Sequence, residues 1–152
     1  MPRVNRAAVL TLDAIGKLWT APNTLAGLLL GAPALLFGAR AALAHNAIVF
    51  HAFPLGRRAF VLGNVIINPT ADLDWRCATY ESVARRKRDA HCAIETVHVG
   101  KHEEAHTFQY QVLGPFFLPA YALTMLLPSP TPFERAADIY ASSGRGWWPR
   151  VR

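Results

Sequence analysis

The chain has 152 residues, 16 Lys and Arg against 10 Asp and Glu, six His and two Cys, and it is 52% hydrophobic and 17% charged. That apolar, charge-poor composition excludes disorder as the main state, the length suits one domain, and two cysteines with no CxxC pair exclude a disulfide scaffold. The net charge of +6 divides as +2 over 1–39, +2 over 40–104 and +2 over 105–152, so no basic half singles out nucleic acid as a partner.

The charges are unevenly spaced. Residues 18–39 carry none, and neither do residues 105–133 if His106 is neutral. Two such windows bring membrane lipid forward as a partner. A polar lead over 1–18 contains Arg3, Arg6 and Lys17. An apolar segment over 19–40 follows, with Trp19 as an interface anchor and Asn23 or Thr24 as a cap. Its strictly apolar part is only about 15 residues, and a spanning helix needs roughly 20. Gly27 and Gly31 give the small-xxx-small spacing of close helix contact, and Pro33 predicts a kink. Three readings stand: a membrane-inserted helix, a buried or interfacial helix, and a secretory signal ending near Ala42-Leu43-Ala44. The polar lead is long for a signal, so the segment is taken to remain in the mature protein.

Short β-branched and aromatic runs at 47–50, 59–62 and 65–67, with the turn-prone pair Gly63-Asn64, predict a small antiparallel meander over 46–68. Asn68-Pro69-Thr70 ends it. Residues 71–95 hold most of the charge, including Arg85-Arg86-Lys87-Arg88. This run can meet nucleic acid or anionic headgroups, but interspersed carboxylates make a solvated helix face the better reading. Nucleic acid is not an expected partner.

The chemistry lies at His102-Glu103-Glu104-Ala105-His106, an H-E-x-x-H run. On a helix, residues i and i+4 share a face, so both imidazoles can meet one metal ion. Imidazole nitrogen suits Zn²⁺, and a catalytic zinc has three protein ligands. Zinc lowers the pKa of water, and Glu103 is the candidate general base that takes its proton. For a third ligand, positions 109 and 112 offer Gln and Val, and the carboxylates downstream are Glu134 and Asp138. His98 is a spare donor if the helix begins early, although Thr96-Val97-His98-Val99 also reads as a strand. His45, His51 and His91 carry no signal.

The E-x-x-x-D spacing of Glu134 and Asp138 resembles the second zinc motif of the gluzincin metallopeptidases. The resemblance implies that Glu134 is the third ligand and that Asp138 hydrogen-bonds a ligating histidine. More widely, the segments Trp19–Leu25, Leu62–Ile66, His102–Gln109, Gly114–Tyr121 and Pro132–Arg135 resemble small uncharacterised bacterial membrane-associated proteins with a zincin-like core. The similarity spans most of residues 19–140. Two positions depart from the zincin pattern: Glu104 is charged, and Gly100-Lys101 precedes the motif.

Geometry imposes one more expectation. A straight helix over 107–127 would be about 30 Å long and would carry Glu134 far from His106. Gly114-Pro115 must therefore break it. We expect an active-site helix to about Leu113, a second helix over 116–127, and a return through 128–132. Thr131 then caps a third helix begun by Pro132, with Glu134 in its first turn. Tyr110, Tyr121 and Tyr140 are candidate donors to an oxyanion, and Gln109 and Gln111 can line the cleft. The tail over 144–152 mixes Trp and Arg, which suits a membrane interface or an aromatic lid on the core.

The sequence thus predicts an α+β domain over 41–143 with a zincin-like helical site, preceded by an apolar helix. The expected function is that of a zinc-dependent metallohydrolase, a peptidase associated with the bacterial inner membrane and acting on peptide or protein. The alternatives are a non-catalytic membrane protein with structural zinc and a basic interaction module using 85–88.

Overall fold

The computed structural model describes residues 6–127 and 130–149. Arg3 of the lead, Pro128-Ser129 of the expected return and residues 150–152 of the tail lie outside the described residues.

The lead is helical from Arg6: α1 spans Arg6–Trp19, with Asp13 bonded to Lys17 one turn on at 2.8 Å. Thr20 separates it from α2 (Ala21–Gly31), which has Pro22 in its first turn, where a missing N–H costs nothing. A 3-10 helix over Ala32–Phe37 follows, closed by Gly38 at φ 92°. The two helical segments are bent by 67°, and no single helix among the described residues is long and apolar enough to cross a membrane. Gly27 and Gly31 face the sheet, not another helix. A Cβ at Gly27 would lie 2.7 Å from that of Val65, and one at Gly31 would enter the Phe50 ring.

The main sheet contains β1 (Arg40–Ala44), β2 (Ala47–His51), β3 (Phe60–Leu62) and β4 (Val65–Ile67) in the order β1-β2-β4-β3. Gly63-Asn64 makes the expected two-residue hairpin between β3 and β4, with φ 63° at Gly63. β2 pairs with β4 in parallel and β1 joins on the far side, so the sheet is mixed rather than a sequential meander. The reason is burial. β4 is buried along its whole length, with Val65, Ile66 and Ile67 fully covered, which suits a central strand.

A second, two-stranded sheet joins β5 (Arg76–Ala78) to β6 (Thr96–His98), with α3 (Tyr80–Arg88) between them. Thr79 caps α3 by accepting from the Ser82 N–H at 3.2 Å. Arg85–Arg88 are exposed in its last turn, where cations interact favourably with the negative end of the helix dipole, and Arg85 pairs with Glu95 at 2.7 Å. Cys77 and Cys92 are free thiols.

The helical half follows the expected breaks. α4 runs Val99–Leu113, a 3-10 turn covers Gly114–Phe116, α5 runs Phe117–Thr124, and α6 runs Pro132–Ser143 with Thr131 as its cap. The core lies where α4 and α5 meet the sheet, around Val49, Ile66, Val99, Tyr110, Phe117 and Phe133. The segments Trp19–Leu25, Leu62–Ile66 and Gly114–Tyr121 meet near the break in this half. The Trp19 indole covers Gly114, Asn23 Nδ2 donates to the Gly114 carbonyl at 2.9 Å, and Thr24 Oγ1 accepts from the Asn64 N–H at 3.0 Å.

Candidate metal centre

α4 is an inward-facing helix: His102, Glu103, Ala105, His106, Gln109 and Tyr110 are all buried. Gly100 permits this. The His45 ring packs on it so closely that a Cβ there would sit 2.5 Å from the imidazole. Glu104 is also accommodated, by bonds from Lys101 at 2.8 Å, Tyr140 at 3.0 Å and His45 at 3.3 Å. Gly100 and Glu104 thus both pack against His45.

One turn apart, the two imidazoles present Nε2 atoms 3.2 Å from each other. Glu134, in the first turn of α6, brings Oε2 to 3.0 Å from His102 Nε2 and 3.6 Å from His106 Nε2. These three atoms form a triangle, and all three residues are buried. A tetrahedral ion with bonds of about 2.0–2.1 Å holds its ligand atoms about 3.3 Å apart, so the triangle has the right edges.

The outer atoms of each of these three residues are already engaged. Asp138 Oδ1 lies 3.0 Å from His102 Nδ1, while its Oδ2 accepts from the Tyr80 N–H at 2.7 Å. His106 Nδ1 lies 2.8 Å from Gln109 Oε1. The Gln109 amide is fixed in that sense because its Nε2 donates to the carbonyls of Phe133 at 3.2 Å and Trp147 at 2.7 Å. Tyr121 donates to Glu134 Oε1 in a short contact. The result is a single tautomer for a neutral His106, with N–H at Nδ1 and a bare lone pair at Nε2.

Hydrogen bonds and ion pairs already join these groups: an imidazolium at His102 donates to Asp138 and to Glu134, and His106 Nε2 lies 3.2 Å from His102 Nε2 and 3.6 Å from Glu134 Oε2. A cation at the centre would also meet all three atoms. Burial by itself lowers the basicity of His102, but the bonds to Asp138 and Glu134 and the charges of Glu103 and Glu134 outweigh it, so its pKa lies well above the ordinary value. Burial raises the Glu134 carboxyl, and the two histidines outweigh that and hold it far below the usual range. The two directions are the two sides of one ion pair between imidazole and carboxylate.

Glu103 is different. Among the described residues nothing hydrogen-bonds its side chain, and it lines a cavity of about 300 Å³ together with His102, His106, Tyr80, Tyr121 and Glu134. Burial raises its pKa, the two imidazoles oppose this, and Glu134 adds to it, for a net upward shift. A buried, unpinned carboxylate beside the ligand triangle has the properties of a base.

The structure therefore unites His102, His106, Glu134, Asp138 and Glu103. It does not bring in His98, which is exposed on β6. Tyr110 donates to the Val61 carbonyl at 3.1 Å and Tyr140 to Glu104, so neither serves as an oxyanion donor, and Tyr121 is bound to Glu134. Gln111 turns away toward Asp13 and Asn64. In the described part of the tail, Trp147 packs with its ring 5.7 Å from that of Phe108. Sequence reasoning missed Tyr80, whose ring stacks on His102 at 6.0 Å and 22°. The cap at Thr79 marks where α3 begins, but nothing local says that this helix start meets α6. No known protein family, curated protein or solved structure matches this chain.

Proposed function

We propose that the protein is a zinc-dependent metallohydrolase of the peptidase class and gluzincin type. His102, His106 and Glu134 are its metal ligands, Asp138 orients His102, and Glu103 is the general base. The observation that carries this reading is the triangle of His102 Nε2, His106 Nε2 and Glu134 Oε2, whose edges are 3.2, 3.0 and 3.6 Å. Two nitrogens and one carboxylate oxygen suit zinc among the common divalent ions. When bound, zinc would polarise a substrate carbonyl and acidify water in the cavity.

The chain's own residues then have distinct tasks. Asp138 and Gln109 hold the two imidazoles in the tautomer that turns Nε2 inward. Tyr121 holds Glu134. Glu103, free of hydrogen bonds, takes a proton from water and passes it to the leaving amine. The apolar walls at Val61, Leu62 and Phe117 exclude bulk water and accept apolar side chains of a peptide. We place the enzyme at a membrane, the bacterial inner membrane by family resemblance, on the strength of the two charge-free windows and their exposed leucines.

The alternative is a non-catalytic membrane protein whose zinc ties α4 to α6. That role calls for a fourth protein donor, and the exposure of His98 speaks for the catalytic reading. Metal analysis separates the readings, combined with hydrolysis of quenched fluorescent casein in detergent. Wild type should carry about one zinc per chain, and His102→Ala and Glu134→Ala should lose it. Glu103→Gln should keep zinc and lose hydrolysis. Zinc retained in Glu134→Ala removes the gluzincin assignment. Zinc present with no hydrolysis in wild type favours the structural role.

A further inference from the structure

Besides α1, where Leu10, Leu12, Ile15 and Leu18 are exposed, the surface of this chain is greasy on two arms. On the first arm, Leu29 is 77% exposed, Leu36 86% and Phe37 76%, in α2 and the 3-10 helix after it. On the second, Leu123, Met125 and Leu126 are 68%, 65% and 84% exposed at the end of α5. Water-facing leucines on this scale mark a contact surface in a folded chain. The two arms spring from one junction, where the Trp19 and Phe116 rings lie 6.1 Å apart and Asn23 bonds to Gly114.

We infer that these two arms dock the protein on the surface of an anionic lipid bilayer, lying in its plane without spanning it. The inference rests on the membrane location given above and specifies the face that makes it. Three observations carry it.

The first is charge. From residue 6 to residue 71 the cationic side chains are Arg6, Lys17, Arg40, Arg57 and Arg58, and the single carboxylate is Asp13. That carboxylate is bonded to Lys17. The stretch of chain that holds the first arm is thus net cationic, with Arg40 three residues after Phe37, and an apolar arm with such charge beside it complements acidic headgroups above acyl chains.

The second is the glycine face of α2. Gly27 and Gly31 are consumed by contact with Val65 and Phe50, so lipid cannot surround the helix. One side is the wall of the domain and the other is leucine. A helix built that way lies half-immersed, and neither α1 nor α2 is by itself long and apolar enough to cross a membrane.

The third is continuity with the cavity. Leu118 and Phe60 are 44% and 39% exposed, and both also line the cavity that holds Glu103. Leu118 stands two residues after Phe116, so the second arm runs from the junction to the cavity mouth. Docking then sets that mouth at the lipid–water boundary, where a peptide segment at the membrane surface enters it.

The test is flotation with phosphatidylcholine vesicles, with and without phosphatidylglycerol. Wild type should float with the phosphatidylglycerol vesicles and lose that binding in high salt or with phosphatidylcholine alone. The pairs Leu36→Glu with Phe37→Glu, and Leu123→Glu with Leu126→Glu, should each weaken binding at least about tenfold, because each removes buried side chains and adds charge in lipid. Both pairs sit on exposed positions, and circular dichroism and zinc content should match wild type. A Phe37→Trp variant should be quenched by brominated lipid. Wild type that never floats overturns both the docking and the membrane location. Wild type that floats while either pair floats equally well overturns the docking face and leaves the location standing. A dimer in solution dispersed by these substitutions, with no quenching at position 37, shows a second copy as the occupant and overturns the proposal.

Discussion

The Asp138 carboxylate binds His102 Nδ1 at 3.0 Å through one oxygen and the Tyr80 amide at 2.7 Å through the other. It thereby links α6, α4 and the start of α3 in a single contact, and it needs two acceptors to do so.

An amide cannot replace it. Asn offers one acceptor and one donor, so in Asp138→Asn either the imidazole N–H or the Tyr80 N–H faces another donor. Outer partners of a ligating histidine contribute about 10–100-fold to metal affinity. Competition with a chromophoric chelator should show a loss of that size in Asp138→Asn. Unchanged zinc affinity would mean that Asp138 is only a brace for α3.

Gln109 makes a similar case on the other imidazole, and it adds the tail. Its oxygen receives His106 Nδ1, and its nitrogen donates to Phe133 and Trp147. Gln109→Leu should weaken zinc by about 10–100-fold and free the chain beyond Ser143 for proteolysis. Gln109→Glu retains the acceptor but loses both donors. It should keep more of the zinc affinity while the tail becomes just as cleavable, which limited trypsin digestion at Arg145 reports.

These two contacts also show what the sequence carried and what it did not. His102 and His106 could be placed on one face because their spacing is a helical period, whereas Glu134 was singled out by the resemblance of its E-x-x-x-D spacing to the gluzincin motif, and Thr131-Pro132 placed it in the first turn of a helix. The break at Gly114-Pro115 followed from the need to bring Glu134 back. Tyr80 and the parallel pairing of β2 with β4 were not legible. Both are set by contacts between segments far apart in sequence, and a strand's partner is chosen by burial on both faces, which the short runs at 47–50 and 65–67 do not encode. The glycines at 27 and 31 were ambiguous for a related reason. Small residues permit close approach to any surface, and only the fold shows that the surface is a sheet.

Glu104 supplies a pH dependence. The bond from His45 lowers its pKa, burial opposes this, and Lys101 and Tyr140 add to the lowering, so its carboxyl titrates at about 2. In the unfolded chain the value is about 4.3. A carboxyl depressed on folding stabilises the protein above its unfolded value and loses that contribution as pH falls toward 2. Glu104→Gln should cost roughly 1–3 kcal/mol at neutral pH. The gap between wild type and variant should close as pH drops below about 4. Urea unfolding of the metal-free proteins across pH measures this, and a gap that is constant down to pH 2 would assign the effect to packing.

The position that most directly sets the site is Gly114. It sits at φ 55°, ψ −130°, with the Trp19 indole where a Cβ would be. Gly114→Ala therefore meets two separate penalties, backbone strain of about 1–3 kcal/mol and overpacking of about 1–3 kcal/mol. Thermal unfolding should fall by roughly 4–20 °C for a domain of this size. Zinc affinity should fall too, because this break is what returns α6 to α4. Trp19→Ala distinguishes the two penalties. In that background the alanine at 114 meets no indole, so only the strain remains, and the double variant should be less destabilised than the sum of the singles. Strict additivity would show that Trp19 does not press on the break, and the convergence of the Trp19–Leu25 segment on it would lose its physical basis.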